Sequence, residues 1–224
     1  MKGPRRREGD PNDARLLSDF VAHLERGGTL GYPTETVYGL GARADLEGVQ
    51  AVQALKGRSD AHPFLVLIPG EEHPEEGLDR WGLSWSPEAR RLAATFWPGP
   101  LTMVLSDPEG RFPPGIRSAV GGVAVRVSSH PFVSALMSHW DRPLISTSAN
   151  RSGEPPACTP EEFIHGLRGG MALDRLWIAD GGRLPPAAVS TLLDLTGAGP
   201  RVLREGAISK EALLRQRTWV PDDD

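Results

Sequence analysis

The stretch FLVLI, residues 64–68, is a continuous apolar run of strand length. A run that is apolar at every position is typical of a strand buried on both faces of a sheet. Helix signals stand on either side of it. Asp45 precedes a segment with apolar residues at helical spacing, and Ser86-Pro87 supplies a hydroxyl cap followed by a proline that needs no donor. The stretch therefore predicts a buried strand in a sheet covered by helices.

The alternation of helix and strand patterns continues along the whole chain. Thr159 and Glu162 match a capping box, in which Glu162 reaches back to the cap amide. This alternation is expected of an α/β fold. The other predicted strands are residues 29–32, 101–105, 123–127, 144–146, 176–179, 191–195 and 201–203, and the other predicted helices are residues 16–24 and 131–140 and segments that begin after Thr159 and at Ser209.

Length and composition fit one globular domain. The chain has 224 residues, of which 39% are hydrophobic and 24% charged, and such a length can bury a sizeable core. We expect a catalytic domain over residues 13–217. A flexible tail that contains an arginine cluster is predicted for residues 1–12, and an acidic tail for residues 218–224.

Charge and cysteine usage exclude several classes of protein. The net charge of −4 argues against a protein that coats nucleic acid by bulk electrostatics. A single cysteine cannot form an internal disulfide, which favours a reducing, cytoplasmic location. One Cys with scattered His gives no cluster suited to zinc, so no metal ligands are assigned. No apolar run suggests a signal peptide or a membrane span.

Polar segments that follow predicted strands are candidate ligand sites, because ligands gather at strand ends in open α/β sheets. The first segment, residues 32–41, reads YPTETVYGLG and places Thr and Glu side chains between a strand and a glycine-rich turn. Its hydroxyls could orient a polar ligand. Turn formation and capping by Thr34 explain the same residues without a ligand, and are slightly favoured here.

The second segment contains Lys56-Gly57-Arg58 just before the apolar run. Lysine is a mobile point charge and arginine a bidentate fork, so the pair could hold a triphosphate. A solvated helix C-terminus with basic residues near the dipole is an equal alternative. No Walker or dinucleotide glycine motif is present.

The third segment, residues 146–153, offers a dense group of hydroxyls after a strand, which favours a ligand over a plain polar loop. Arg126 lies inside the apolar run of residues 123–127, where its charge requires water, a partner or an anionic ligand. Arg204 raises the same question less strongly. Trp97 is interpreted as a buried aromatic that ends a helix. His62 and Cys158 have no triad-like spacing to a partner.

Taken in order, these segments resemble the YrdC-like family of threonylcarbamoyl-AMP synthases. Each motif is short, but seven in the same order over nearly the whole chain are specific. The chain is most similar to the short, single-domain members. The matching motifs are YPTETVYGLG from Tyr32, KGR from Lys56, FWPGPLT from Phe96, VAVRV from Val123, STSANRSGEPP from Ser146, VSTLLDL from Val189 and VLREG from Val202.

The resemblance implies a single-domain α/β fold with a twisted mixed sheet, flanking helices and a deep concave cleft. It implies a nucleotidyltransferase that converts L-threonine, bicarbonate or CO₂, and ATP with Mg²⁺ into threonylcarbamoyl-AMP and pyrophosphate. The product would pass to the tRNA threonylcarbamoyltransferase machinery for the t⁶A modification of adenosine 37. No membrane partner is implied, and weak RNA binding stays open.

The resemblance also implies two sets of site residues. Lys56 and Arg58 would be catalytic, since they would neutralise the developing pyrophosphate together with Mg²⁺. The threonine side would consist of Thr34, Arg126, Ser148 and Ser190. The ATP side would consist of Lys56, Arg58, His62, Ser146, Asn150, Cys158 and Arg204.

The chain departs from the usual family residues at His62, Leu67, Gly122 and Cys158. Two rival functions stay open at this point. One is the use of carbamoyl phosphate, as in hydrogenase maturation proteins with a YrdC-like domain, which are longer and carry cysteine-rich motifs. The other is a non-catalytic RNA- or ribosome-binding module of the same fold.

Overall fold

The computed structural model describes residues 4–8, 12–57, 62–70, 78–148, 157–167 and 170–216. Within these residues the strands are β1 Arg5–Glu8, β2 Thr29–Tyr32, β3 Gly39–Arg43, β4 Leu65–Leu67, β5 Leu101–Ser106, β6 Gly122–Arg126, β7 Leu144–Ser148, β8 Leu176–Asp180, β9 Thr191–Asp194 and β10 Arg201–Arg204. The helices are α1 Ala14–Glu25, α2 Leu46–Lys56, α3 Pro87–Phe96, α4 Pro131–Trp140, α5 Pro160–Gly166 and α6 Lys210–Arg215, with 3₁₀ turns at Leu78–Trp81 and Gly170–Arg175.

The ten described strands form one mixed sheet in the order β1-β8-β2-β3-β7-β4-β6-β5-β9-β10. Parallel pairs join β1 to β8, β8 to β2, β4 to β6 and β5 to β9. The remaining pairs are antiparallel. The predicted mixed α/β fold is confirmed, while the deep cleft stays a prediction.

The central strands are buried on both faces, as the apolar run predicts. Val66 and Ile68 belong to a core that includes apolar residues of α2 and α3. Leu67 belongs to a second core formed with α1 and α4. Because successive strand residues point to opposite faces, the two cores lie on opposite sides of the sheet. The same alternation sends Val125 and Val127 into the first core and turns Arg126 toward the other face.

Local signals explain where the helices begin. The side chains of Asp45, Ser86 and Ser209 accept hydrogen bonds from backbone amides of the first turns of α2, α3 and α6, as predicted. Thr159 caps α5, but Glu162 accepts from the Cys158 amide at 2.8 Å and not from the predicted cap amide. No helix among the described residues is long and apolar enough to cross a bilayer.

Trp97 ends α3 and is buried, which agrees with its structural interpretation. Its peptide bond to Pro98 is cis. The indole Nε1 donates to the carbonyl of Leu101 at 2.6 Å, so the polar edge of the ring is satisfied inside the chain rather than by a ligand.

Residues 5–8 of the N-terminal arginine segment form the edge strand β1, within the region that the sequence predicts as a flexible tail. Residues 5–8 pair in parallel with β8. Arg6 forms ion pairs with Asp180 and Glu161, both at 2.5 Å, and the guanidinium groups of Arg5 and Arg7 lie 5.2 and 4.8 Å from the Trp177 ring centroid. The charge pattern of the sequence does not reveal that Asp180 and Trp177 on β8 contact these arginines. The acidic C-terminal tail lies outside the described residues.

The glycine-rich segment that sequence assigned to a turn includes strand β3. Glycine disfavours strands, but here it makes room for the buried ring of Tyr32. A Cβ at Gly39 would lie 3.0 Å from Tyr32 Cε2, and one at Gly41 would lie 2.7 Å from Tyr32 Cε1. The ring therefore crosses β3, and its hydroxyl donates to Ile145 O on β7 at 3.4 Å.

Gly41→Ala should lower the free energy of unfolding by about 1–3 kcal/mol, the usual cost of overpacking a core. The added Cβ would approach both Tyr32 and the backbone oxygen of Ile145, the latter at 2.8 Å. Urea unfolding followed by circular dichroism measures the change. Gly197→Ala is the control, because its Cβ would meet nothing closer than 3.9 Å. Equal losses in both variants would contradict this packing argument.

Candidate active site

Lys56 is the last residue of α2 and is held against the end of β7. Gly57 follows in the left-handed conformation with φ of 66° and stops the helix there. The Lys56 ammonium donates to Thr147 Oγ1 and to the carbonyl of Ser148, both at 3.1 Å. The lysine is thus positioned beside the predicted hydroxyl-rich segment rather than pointing along the helix into solvent. Arg58 lies outside the described residues.

The hydroxyl residues of β7 are placed by their strand register. Ser146 stands opposite Gly41 on β3 and Leu65 on β4. It is buried. Burial raises the pKa of Tyr32, which keeps its hydroxyl neutral, although the nearby Ser146 side chain opposes the shift. Ser148 is half-buried at the end of the strand. Asn150 lies outside the described residues.

Arg126 is buried at the end of β6, where only 5% of its side chain is exposed. Its Nη2 lies 2.9 Å from Glu35 Oε1 in the loop between β2 and β3. The other carboxylate oxygen of Glu35 accepts a hydrogen bond from Ser128 at 2.5 Å. The buried charge that the sequence left without a partner therefore has one, and Glu35 and Ser128 belong to the site.

Ser190 and Arg204 are in contact with each other. The Arg204 guanidinium donates to the Ser190 carbonyl at 2.9 Å and to its hydroxyl at 3.3 Å. Ser190 Oγ also lies 2.9 Å from Thr102 Oγ1. A bulge in β10 between Val202 and Arg204 changes the register just before this arginine, and bulges commonly re-aim a side chain. Desolvation lowers the pKa of Arg204, and the like charge of Arg126 lowers it further.

The Thr34 hydroxyl forms hydrogen bonds within its own turn. The oxygen accepts from the amides of Thr36 and Val37 at 3.2 and 3.1 Å, and the hydroxyl donates to the Val37 carbonyl at 2.6 Å. The turn role of Thr34, one of the two interpretations that the sequence left open, therefore explains these hydrogen bonds. A threonine ligand would have to replace one of these bonds, so its assignment to the threonine side stays a prediction.

His62 lies shortly before β4, and Cys158 lies immediately before the cap of α5. His62 is exposed beyond the end of α2. Cys158 is half-buried, and its amide and carbonyl bond to Glu162 and to the amide of Leu184. These backbone bonds position the start of α5. The assignment of both residues to ATP stays a prediction.

The remaining described candidates form one connected polar region. Lys56 contacts the end of β7, whose Ser146 leads through Tyr32 toward Arg126, and Arg126 lies near Arg204. Tyr32, Glu35 and Thr147 lie within segments that were predicted as candidate sites but received no role there, and Ser128 and Thr102 were not predicted. A polar residue within an apolar strand, as at Thr102, is a signal that could have suggested that residue. Three cations in one polar region favour an anionic ligand.

The comparisons with known proteins identify the family of the chain. The family model for Sua5, YciO and YrdC proteins, described as "Telomere recombination", matches residues 22–206. The chain belongs to this family. A Chromohalobacter salexigens protein named threonylcarbamoyl-AMP synthase is 39% identical over 80% of this chain and 94% of its own length.

Longer members of the Sua5/YciO/YrdC family are similar as well. A Bacillus subtilis relative, also named threonylcarbamoyl-AMP synthase, is 34% identical over 90% of this chain, which spans only 56% of that relative. The crystal structure of Pyrococcus abyssi Sua5 with L-threonine has a TM-score of 0.79 at 29% identity, over 97% of this chain and 61% of Sua5. The predicted twisted mixed sheet with flanking helices is thereby confirmed, whereas the deep cleft stays a prediction.

Acid should destabilise the protein through His130, which precedes α4 and lies near Glu35. Its Nδ1 accepts from the Phe132 amide at 3.2 Å. Burial lowers its pKa below the ordinary 6.5, and the charge of Glu35 opposes this only in part. The unfolded chain therefore binds the proton first, so the free energy of unfolding should decrease as pH falls through 6.5.

Denaturant titrations at several pH values check this expectation. His130→Asn keeps a capping acceptor and should reduce the loss of stability at low pH. Part of the loss should persist, because burial lowers the pKa of His23 as well. His139→Asn changes an exposed histidine and is the control. An undiminished pH dependence in His130→Asn would contradict the assignment.

Proposed function

We propose that the protein is an L-threonylcarbamoyladenylate synthase, a nucleotidyltransferase that uses L-threonine, bicarbonate or CO₂, and ATP. Family membership and the names of its relatives support the proposal. The observation that carries it is the buried Arg126. Its Nε and Nη2 atoms make no hydrogen bond with any described residue, so a guanidinium edge is available for a carboxylate ligand.

On the threonine side, Arg126 would pair with the amino acid carboxylate. Ser190 lies nearby through its contact with Arg204, and Ser148 stands at the end of β7. Thr34 completes the predicted set. The Sua5 structure with L-threonine supports a threonine site in this fold. Two buried or half-buried hydroxyls beside a cation suit a small, polar amino acid.

On the nucleotide side, the threonine amine would first combine with bicarbonate to give a carbamate and water. A carbamate oxygen would then attack the α-phosphorus in line, and the bond from that phosphorus to the bridging oxygen would break as pyrophosphate leaves. Positioning and charge stabilisation supply most of the catalysis in such transfers. Lys56, held at two points on β7, would stabilise the departing pyrophosphate.

Ser146 and Arg204 would line the same nucleotide, with Arg58, His62, Asn150 and Cys158 as further predicted contacts. Mg²⁺ would arrive bound to ATP. Among the described residues, no cluster of three or more His, Cys, Asp or Glu could hold a metal ion. Mg²⁺ commonly binds through substrate phosphates and keeps its waters, so it needs no dedicated carboxylate site here.

The product would serve the t⁶A modification of adenosine 37 in tRNA and would pass to the tRNA threonylcarbamoyltransferase machinery in the cytoplasm. The rival non-catalytic RNA-binding module is not favoured, because relatives over most of the chain are named as synthases. The solved structure of HypF shares the fold at 19% identity, a level of likeness that shows the fold alone and does not favour the rival use of carbamoyl phosphate.

Pyrophosphate release from ATP should require both L-threonine and bicarbonate. Lys56→Ala should reduce the rate by about 10²-fold or more, since a preorganised charge at the leaving group is lost. A coupled pyrophosphate assay with each substrate omitted in turn measures this. Lys210→Ala, at an exposed lysine of α6, is the control and should retain its rate. Release without threonine, or RNA binding without turnover, would contradict the proposal.

A further inference from the structure

Glu35 is the carboxylate partner of the buried Arg126 and is itself largely buried. The side chain is 17% exposed, and its Oε1 atom is buried. That oxygen is 2.9 Å from Arg126 Nη2. The pair places opposite charges side by side in a low-dielectric position, where their attraction is strong.

The Glu35–Arg126 contact is an ion pair without a hydrogen bond. Neither Glu35 Oε1 nor Arg126 Nη2 forms one with any described residue, and Arg126 Nε forms none either. The N–H groups of the guanidinium edge are therefore not aligned with Glu35 Oε1. Glu35 stabilises the charge of Arg126 while it leaves the Nε and Nη2 donors for a second, bidentate carboxylate.

Ser128 holds Glu35 in this position. The Ser128 hydroxyl donates to Glu35 Oε2 at 2.5 Å, and Ser128 Oγ in turn accepts from the amide of His130 at 3.3 Å. Ser134 donates to the Ser128 carbonyl at 3.3 Å, which fixes Ser128 to the first turn of α4. The carboxylate is thus supported by a helix, while the adjoining Thr34 turn anchors its backbone.

Glu35 also reduces the electrostatic repulsion between Arg126 and Arg204. The two guanidinium groups of Arg126 and Arg204 are close enough for one charge to lower the pKa of the other. Like charges repel, so Arg126 without Glu35 would be displaced from its neighbour or disordered. Glu35 offsets this repulsion before any anionic substrate arrives.

We propose that Glu35 is a positioning residue, which through its ion pair with Arg126 and its hydrogen bond from Ser128 presents the guanidinium edge to the threonine carboxylate. This inference rests on the proposed function. Glu35 does not itself touch the substrate, so its loss should weaken threonine binding much more than ATP binding or the chemical step.

Steady-state pyrophosphate release by the 224-residue chain tests the inference. Glu35→Gln keeps the shape and removes the charge, and we expect KM for L-threonine to rise by about tenfold or more, with KM for ATP and kcat at saturating threonine within about threefold. Glu35→Asp, which restores the charge, should recover part of the loss. Ser128→Ala should raise KM for threonine by a smaller factor. Glu109→Gln, in an exposed ion pair with Arg111, is the control.

The outcomes separate this inference from the proposed function. If the wild-type chain shows no threonine-dependent release, the proposed function fails. If the wild type is active but KM for threonine is unchanged in Glu35→Gln, or rises equally with KM for ATP, the positioning role is wrong. Circular dichroism establishes that each variant is folded. Should Glu35→Gln not fold, an unchanged KM for threonine in Ser128→Ala overturns the inference, and a selective rise supports it.

Discussion

The buried charge of Arg126 is the constraint on which the arrangement of the site depends. Strand β6 sends Val125 and Val127 into one core, so alternation forces Arg126 onto the opposite face of the sheet. A charge in that position is costly unless it is paired. Glu35 satisfies the need, and the loop that carries it must therefore close over the end of β6. The position of the loop between β2 and β3 follows from an electrostatic requirement on a distant strand.

Packing around Tyr32 places a second part of the same region. The ring lies across β3 because Gly39 and Gly41 leave no Cβ in its way. It thereby reaches β7, where its hydroxyl meets Ser146 and the carbonyl of Ile145. One short motif thus has two structural functions: its glycines admit a buried aromatic ring, and its Thr34 turn orients Glu35 for Arg126. Neither function requires a ligand, yet together they define the surface on which one would bind.

Features that depend on neighbours in sequence could be predicted, and features that depend on distant partners could not. The run of residues 64–68 shows a strand buried on both faces, and the caps at Asp45 and Ser86 act within three residues of their partners. Strand β1 was missed because its partners, Asp180 and Trp177, are remote in sequence. Strand β3 was missed because the reason for its glycines is the ring of Tyr32.

The site shows the same division. Lys56 and Arg126 could be proposed from charge and local pattern, since a cation beside or within an apolar run requires explanation. Their exact partners could not be proposed. Thr147 lies on a strand 91 residues from Lys56, and Ser128 reaches Glu35 across 93 residues. Hydroxyls and carboxylates of this kind are common on any surface, and only the fold shows which of them is buried beside a charge.

The contact between Ser190 and Arg204 joins the two sides that the resemblance assigns separately. Ser190 belongs to the predicted threonine side and Arg204 to the predicted ATP side, and their side chains are 3.3 Å apart. Such contact is what the proposed reaction demands, because a carbamate built on threonine must reach the α-phosphorus without leaving the protein. In the strand order, β6 with Arg126 lies between β7, against which Lys56 is held, and β10 with Arg204. A threonine carboxylate at Arg126 would therefore have a predicted nucleotide contact on either side of it, which is the arrangement that transfer to the α-phosphorus requires.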